Sequence, residues 1–192
     1  MKIKVTRRRI IFLILFISIA ALIVMIYPNL PFPIYSIDYY GITLEFRINL
    51  RDARSIPVYP NEEAVQSKIM NELVENITIV FKPGSGQENA FYAVETHEIV
   101  YKLAVGYSER FGYMPSFNVV NVTSYENLTG SPQNPVIVLI SPIQSNETLV
   151  RLEGHIVFIQ SKNSTSLTEQ LRNFDLATVK FIMTTLGISL NN

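Results

Sequence analysis

The sequence predicts an α+β fold, with an N-terminal transmembrane helix followed by a ferredoxin-like β-α-β-β-α-β unit that further strands and a C-terminal helix extend. Three observations predict it. Residues 10–27 carry no charge and are mostly apolar, which is typical of a membrane span. Residues 41–123 show strand and helix periodicities in the β-α-β-β-α-β order. The residues after 134 add a buried apolar run, a hairpin and a last helix.

The apolar segment IIFLILFISIAALIVMIY covers residues 10–27. As a helix it would extend about 27 Å, which is close to the hydrocarbon thickness of a lipid bilayer. The predicted partner of residues 10–27 is therefore the lipid bilayer. Residues 1–9 hold five cations and no acid, and such a tail stays in the cytoplasm, so residues 28–192 are predicted to lie outside the cell membrane. A signal-peptide cleavage site near Ala20 is the alternative, but the apolar run before it is short, which favours an uncleaved anchor.

Residues 28–40 contain three prolines and predict a short, stiff stalk, because proline cannot continue a helix. Residues 41–192 are predicted to form the extracytoplasmic α/β domain. The chain has no cysteine, so an exported domain of this size would be held together by its hydrophobic core alone.

Local periodicity predicts the β-α-β-β-α-β order. GITLEFRIN alternates apolar and polar residues, which predicts the first strand. Asn61 and the two glutamates after it predict the start of the first helix, with an apolar stripe of Val65, Ile69 and Leu73. NITIVFK and AFYAVE predict the second and third strands, joined by a turn in PGSGQEN. ETHEIVYKL opens the second helix, which ends at Gly112, and FNVVNVT predicts the fourth strand.

Three more elements extend this unit. NPVIVLISP is a continuous apolar run between prolines and predicts a strand buried on both faces. TLVRLEGHIVFIQ predicts a hairpin that turns at Glu153-Gly154. Ser166 and Glu169 predict a capping box for a last helix that ends at Leu186-Gly187.

The triplet Asn-x-Thr occurs five times, more often than composition predicts, whereas Asn-x-Ser is absent. Such triplets accept N-linked glycans in exported proteins. The candidate glycosylation sites are Asn76, Asn121, Asn127, Asn146 and Asn163. The alternative explanation is that Asn and Thr are simply common in strands and turns. The predicted anchor favours glycosylation.

HEIVY, residues 97–101, matches the first part of H-E-x-x-H, in which two histidines one helical turn apart share a zinc ion. Here Tyr101 replaces the second histidine, and a neutral phenol is a poor zinc ligand. The chain has one other histidine, His155, and no cysteine. We therefore expect no metal site, and we interpret HEIVY as the start of a helix that Thr96 caps.

The other motifs also predict no catalysis and no cofactor. Gly84-Ser85-Gly86 lacks the lysine of a phosphate-binding loop, and the strand predicted after it excludes both that loop and a nucleophile elbow. The pairs Glu62-Glu63 and Glu95/Glu98 lie near predicted helix N-termini, where the helix dipole favours acids. Neighbouring acids do not supply the opposed carboxyl groups that a glycosidase needs. We therefore expect a non-catalytic protein.

Five of the sixteen cations precede the apolar segment, so residues 28–192 carry eleven cations and sixteen acids. This negative balance argues against nucleic acid as a partner. Arg51, Asp52 and Arg54 cluster in a predicted loop between a strand and a helix, where binding residues often gather. We regard them as a candidate partner-binding loop. The alternative is a solvated loop with a local ion pair.

Three phrases carry a resemblance to a known group of proteins: RSIPVYPNEEAV, AFYAVETHEIVYKL and FDLATVKFIMTTLGI. In them the chain resembles uncharacterised archaeal single-span envelope proteins with a small extracytoplasmic α/β domain. The resemblance implies this architecture and a location at the cell membrane. It implies no catalytic residue.

Three classes of function stay open. The first is a non-catalytic binding or structural component of the cell envelope, or an accessory subunit of a membrane complex, whose partner would be an envelope or membrane protein. The second is a pilin-like filament subunit, although Arg9 directly precedes the apolar run and residues 10–27 contain no acid. The third is an envelope hydrolase, which would need acids that converge in a cleft.

Overall fold

A computed structural model describes residues 34–189. The predicted span over residues 10–27, the basic tail over residues 1–9 and most of the predicted stalk lie outside the described residues. Within residues 34–189, no helix is both long enough and apolar enough to cross a membrane. The described residues form an α+β domain.

Eight strands and four α-helices make up the described residues. In chain order they are β1 (Tyr35–Tyr39), β2 (Ile42–Phe46), α1 (Leu50–Ala53), β3 (Val58–Tyr59), α2 (Glu62–Ile69), β4 (Asn76–Phe81), α3 (Gly86–Phe111), β5 (Ser116–Asn121), β6 (Val136–Ile140), β7 (Leu149–Glu153), β8 (Ile156–Gln160) and α4 (Leu167–Leu186). A short 3-10 turn, Pro142–Gln144, follows β6.

The main sheet is mixed, and its strand order is β3-β7-β8-β6-β4-β5. Strands β5, β4, β6 and β8 run parallel to one another, whereas β7 is antiparallel to β8. The short strand β3 pairs in parallel with β7 at the far edge. The first four of the five residues of β6 are buried, which confirms the prediction of a strand covered on both faces.

The ferredoxin-like prediction is wrong. AFYAVE does not form a strand, because residues 86–111 form the single helix α3. Ser85 and Glu88 make a capping box at its start, and buried residues such as Tyr92, Ile99 and Leu103 recur at helical spacing. An apolar run of this length is too short to outweigh the helical period of the longer segment that contains it. Without that strand, β4 and β5 become parallel neighbours joined by one crossover helix.

Most other predicted elements are confirmed, with two local exceptions. Leu73 lies after α2 rather than on its apolar stripe, and its side chain is exposed. The predicted capping box of α4 is wrong, because the Ser166 side chain caps no backbone group and Glu169 accepts a hydrogen bond from Ser164 instead. The end of α4 at Gly187 is confirmed, and this glycine has the left-handed φ of 69°.

Residues 35–39, which the sequence analysis assigned to the stalk, form β1 and pair with β2 in an antiparallel hairpin. The hairpin turns at Tyr40 and Gly41, whose φ angles are 53° and 85°. The buried side chains of Leu44 and Phe46 join the main core, and the Lys102 ammonium of α3 lies over the Phe46 ring. The described part of the predicted stalk is therefore packed against the helices of the domain.

The domain is built in layers. One large core joins one face of the sheet, the helices α2, α3 and α4, and the β1–β2 hairpin on the outer side of the helices. A smaller core on the opposite face packs Val80, Val138 and Phe158 under the loop that follows β5. Tyr125 and Leu128 are the main side chains of that loop that cover the sheet.

Strand β5 forms an open edge of the sheet. The Ser116 amide donates to the carbonyl oxygen of Glu75, directly before β4, at 2.9 Å, and the Val122 amide donates to that of Phe81, the last residue of β4, at 3.0 Å. Because hydrogen bonding alternates along a strand, the backbone groups of Phe117, Val119 and Asn121 point away from β4. The sequence SFNVVN has no charge, and Val119 is exposed.

Candidate functional site

The four parallel strands give the sheet two distinct edges. We call the side where β4, β5, β6 and β8 begin the amino edge, and the side where they end the carboxyl edge. Asn121 ends β5, Asn146 follows the turn after β6, and Asn163 lies three residues after β8. All three asparagines are exposed. The structure thus brings three of the five candidate glycosylation sites to the carboxyl edge.

The other two candidates lie elsewhere. Asn127 is exposed on the loop after β5, which covers the face of the sheet opposite the main core. Asn76 begins β4 at the amino edge, but it is half-buried and its Nδ2 donates to Oδ1 of Asn134 at 3.0 Å. The hydroxyl of Thr78, the third residue of the same triplet, donates to the same oxygen at 3.0 Å. The nitrogen and hydroxyl of this triplet are therefore already engaged in the folded domain.

The amino edge exposes large apolar side chains. Leu73 is 61% exposed and Met114 is 65% exposed, and they lie in the connections that lead into β4 and β5. These connections are fixed, because the Tyr113 hydroxyl donates to the Val74 carbonyl oxygen at 2.9 Å. Gly112 turns the chain out of α3 with a φ of 72°. The two apolar side chains are therefore held at the surface by ordered backbone.

A cleft of about 500 Å³ lies next to Leu73 between the ends of α2 and α3. Lys68, Arg110 and His155 are among the residues that line it. We call Lys68, Leu73, Arg110, Met114 and His155 the amino-edge surface. It combines apolar side chains with a polar, partly basic rim, which is the composition of many protein-binding patches.

The carboxyl edge contains the topological switch point of the sheet, between β4 and β6. The chain leaves β4 through α3 towards β5, and it leaves β6 towards β7 and β8 on the other side. In parallel sheets such a point usually opens a ligand crevice. Here a cleft of about 590 Å³ lies beside that point, and Tyr125 lines it. Tyr125 is held in place, because its hydroxyl donates to the Leu139 carbonyl at 2.9 Å and accepts from the Lys82 amide at 3.0 Å. Burial raises the pKa of Tyr125, so the phenol stays neutral.

The Glu88 carboxylate lies at the N-terminus of α3, beside the switch point. It accepts from the Ser85 amide at 2.9 Å, the Ser141 hydroxyl at 2.6 Å and the Gln144 side chain at 3.3 Å. Burial alone would raise the pKa of Glu88, but hydrogen bonds from Ser141 and Ser85 lower it overall, so the group is ionised at neutral pH.

The interpretation of PGSGQEN as a turn between strands is wrong, because it leads from β4 into helix α3. A glycine-rich loop in that context often binds phosphate at the helix N-terminus. The Glu88 carboxylate occupies that position instead, and a Cβ added at Gly84 would meet its Oε2 at 2.1 Å. This loop therefore holds an internal anion.

The chain matches no protein-family model, no curated protein and no solved structure. The proposed role of these residues therefore rests on their solvent exposure, their burial and their contacts.

HEIVY lies inside α3, so its interpretation as a helix start is wrong and Thr96 is not a cap. The His97 and Tyr101 rings stack on one another with centroids 6.5 Å apart. Among residues 34–189, no group of three or more His, Cys, Asp or Glu side chains is placed to hold a metal ion.

The candidate partner-binding residues Arg51, Asp52 and Arg54 lie in and directly after the short helix α1 rather than in an open loop. Asp52 pairs with Arg172 of α4 at 3.2 Å, and both side chains are exposed. The Arg54 carbonyl accepts from Lys180 of α4 at 3.3 Å. Two of these three residues therefore fasten α1 to α4, and their role in partner binding stays a prediction.

A buried ionic cluster between the helices was not predicted. Glu95 was expected at a helix N-terminus, but it is the tenth residue of α3 and is fully buried. Its neighbours are Asp175 of α4 and Arg47, which follows β2. The signal was an acid at helical spacing between Tyr92 and Ile99, on the buried stripe of a helix that began nine residues earlier than predicted.

Proposed function

We propose that this chain is a non-catalytic binding protein of the cell envelope. Residues 10–27 anchor it at the membrane, the domain lies on the extracytoplasmic side, and the amino-edge surface binds a protein of the envelope or of a membrane complex. The observation that carries the proposal is the distribution of the glycosylation candidates, because large apolar side chains are exposed at both edges, with Ile143 and Leu167 at the carboxyl edge. Exposed Leu73 and Met114 lie at the amino edge, whereas the exposed glycosylation candidates lie at the carboxyl edge or on the loop after β5.

The chemistry of the two edges supports protein binding at the amino edge. Exposed leucine and methionine side chains can form the hydrophobic centre of a protein interface, and the charged residues around them can form its hydrated rim. Glycans on Asn121, Asn146 and Asn163 would be bulky and hydrated, and they would hinder close contact at the carboxyl edge. The amino edge lacks an exposed acceptor triplet within residues 34–189.

Two features support a role without catalysis. The carboxyl groups of Glu95 and Asp175 are buried, so neither is open to a substrate at the surface. At the switch point, where a parallel sheet usually binds a substrate, the Tyr125 hydroxyl and the Glu88 carboxylate are already hydrogen-bonded within the domain.

The test is cross-linking in native membranes followed by identification of partners by mass. Leu73→Glu and Met114→Glu should each lower recovery of the partner at least tenfold, because a charge would be buried at the centre of the contact. Leu167→Glu is the matched control, since Leu167 is also an exposed leucine, 51% exposed, but starts α4 at the carboxyl edge. Unchanged recovery with both amino-edge variants, or a chain that cross-links to no protein, would refute the proposal.

A further inference from the structure

Two carboxyl groups, one from each long helix, lie beneath the β1–β2 hairpin. Glu95 of α3 is fully buried, and Asp175 of α4 is 7% exposed. Arg47 reaches both of them, because its Nη2 lies 3.2 Å from Glu95 Oε1 and 2.5 Å from Asp175 Oδ1. One guanidinium group thus joins the hairpin to both helices.

The charges around this pair do not balance if every acid is ionised. The nearby cation on α3, Lys102, is already paired with Glu98 of the same helix. Arg47 is therefore the cation that contacts Glu95 and Asp175 within the described residues. One positive charge does not offset two buried carboxylates at this distance, so one of the two groups holds a proton.

Glu95 is the group that holds it. Burial, and then the negative charge of Asp175, raises the pKa of Glu95 well above its usual range, and Arg47 opposes this only in part. Burial also raises the pKa of Asp175, but its hydrogen bond with Glu95 and the charge of Arg47 act in the opposite direction. Oε2 of Glu95 has no hydrogen-bond partner among the described residues, which costs far less for a neutral carboxyl than for a carboxylate.

We propose that Glu95 and Asp175 form a one-proton site that controls how firmly the hairpin is held on the two long helices. With the proton bound, Arg47 and Asp175 neutralise each other and Glu95 is uncharged. When the proton leaves, two carboxylates face each other across the contact between α3 and α4, beneath Arg47. The site loosens as pH rises, and the hairpin that covers it loosens with it. This proposal does not depend on a partner or on the side of the membrane.

The sign of the pH dependence follows from proton binding. The folded chain keeps a proton that the unfolded chain loses near the ordinary glutamate pKa of 4.5. Stability is therefore fully present below that pH and is lost as pH rises towards the raised pKa of the folded state. Within that window one linked proton increases the unfolding equilibrium constant by up to about tenfold per pH unit.

The experiment compares the full chain with Glu95→Gln and Glu109→Gln in mild detergent across this pH range. Glutamine at position 95 keeps the shape and removes the titration, whereas Glu109 is an exposed glutamate of the same helix. We expect the loss of stability with rising pH in the wild type and in Glu109→Gln, and its absence in Glu95→Gln. Amide hydrogen exchange in β1 and β2 should accelerate with that loss beyond the intrinsic effect of pH.

An equal pH dependence in the wild type and in Glu95→Gln would overturn the proposal. So would hairpin exchange that follows only the intrinsic pH effect. If Glu95→Gln does not fold, the infrared spectrum of the wild type decides, since a protonated carboxyl band that persists at neutral pH belongs to a group such as Glu95. A spectrum without that band would also overturn the proposal.

Discussion

The pair formed by Lys102 and Glu98 predicts an asymmetric response to mutation. The Lys102 side chain is 1% exposed, whereas that of Glu98 is 23% exposed. Glu98→Gln leaves a buried ammonium without its counter-charge, and breaking a buried pair in this way costs about 3–5 kcal/mol. The Phe46 ring lies 4.5 Å from the ammonium and returns about 1–2 kcal/mol of that cost. We therefore expect Glu98→Gln to destabilise the domain by about 2 kcal/mol.

Lys102→Met should behave differently. The methionine fills much of the lysine volume, and the Glu98 carboxylate that remains can reach water. This substitution removes the buried charge itself and leaves no unpaired buried ion, so we expect a change within about 1 kcal/mol. Thermal unfolding of the full chain in mild detergent measures both, and about 2 kcal/mol corresponds to about 4–8 °C in a domain of this size. A larger loss for Lys102→Met than for Glu98→Gln would refute this reasoning.

Three further predictions concern the surface and one connection. Peptide mapping of native protein should find a glycan on Asn121 and none on Asn76, and an occupied Asn76 would contradict the closed geometry of its triplet. Protease added to intact cells should digest residues 28–192, and digestion only after the membrane is opened would place them in the cytoplasm. Tyr113→Phe should lower the stability by about 1 kcal/mol through the lost hydrogen bond to Val74, measured by urea unfolding, and an unchanged midpoint would show that this bond contributes little.

The elements that could be predicted are those determined by residues close together in the sequence. The alternation of β2, the Asn61 cap of α2 and the glycine ends of α3 and α4 are such signals, and all four are confirmed. The prediction failed where two local signals competed. In PGSGQENAFYAVE a turn-like segment followed by a short apolar run favoured a strand. The Ser85–Glu88 capping box favoured a helix instead, and the structure has the helix α3 there.

The ionic cluster could not be predicted because its members are far apart in the chain. Arg47, Glu95 and Asp175 come from three elements, and their meeting depends on the placement of the hairpin over α3 and α4. The composition of the two edges of the sheet could not be predicted for the same reason. Asn121, Asn146 and Asn163 share an edge only because β5, β6 and β8 are parallel, and the sequence analysis left the strand order open.

The open edge at β5 has a practical consequence for anyone who concentrates this protein. Among residues 34–189 no strand pairs with the outer side of β5, and an uncharged edge strand of this kind is a template for pairing with another chain. The protein should therefore tend to self-associate along this strand at high concentration. A single lysine in place of Val119 would make two such edges repel each other, and would keep concentrated samples dispersed.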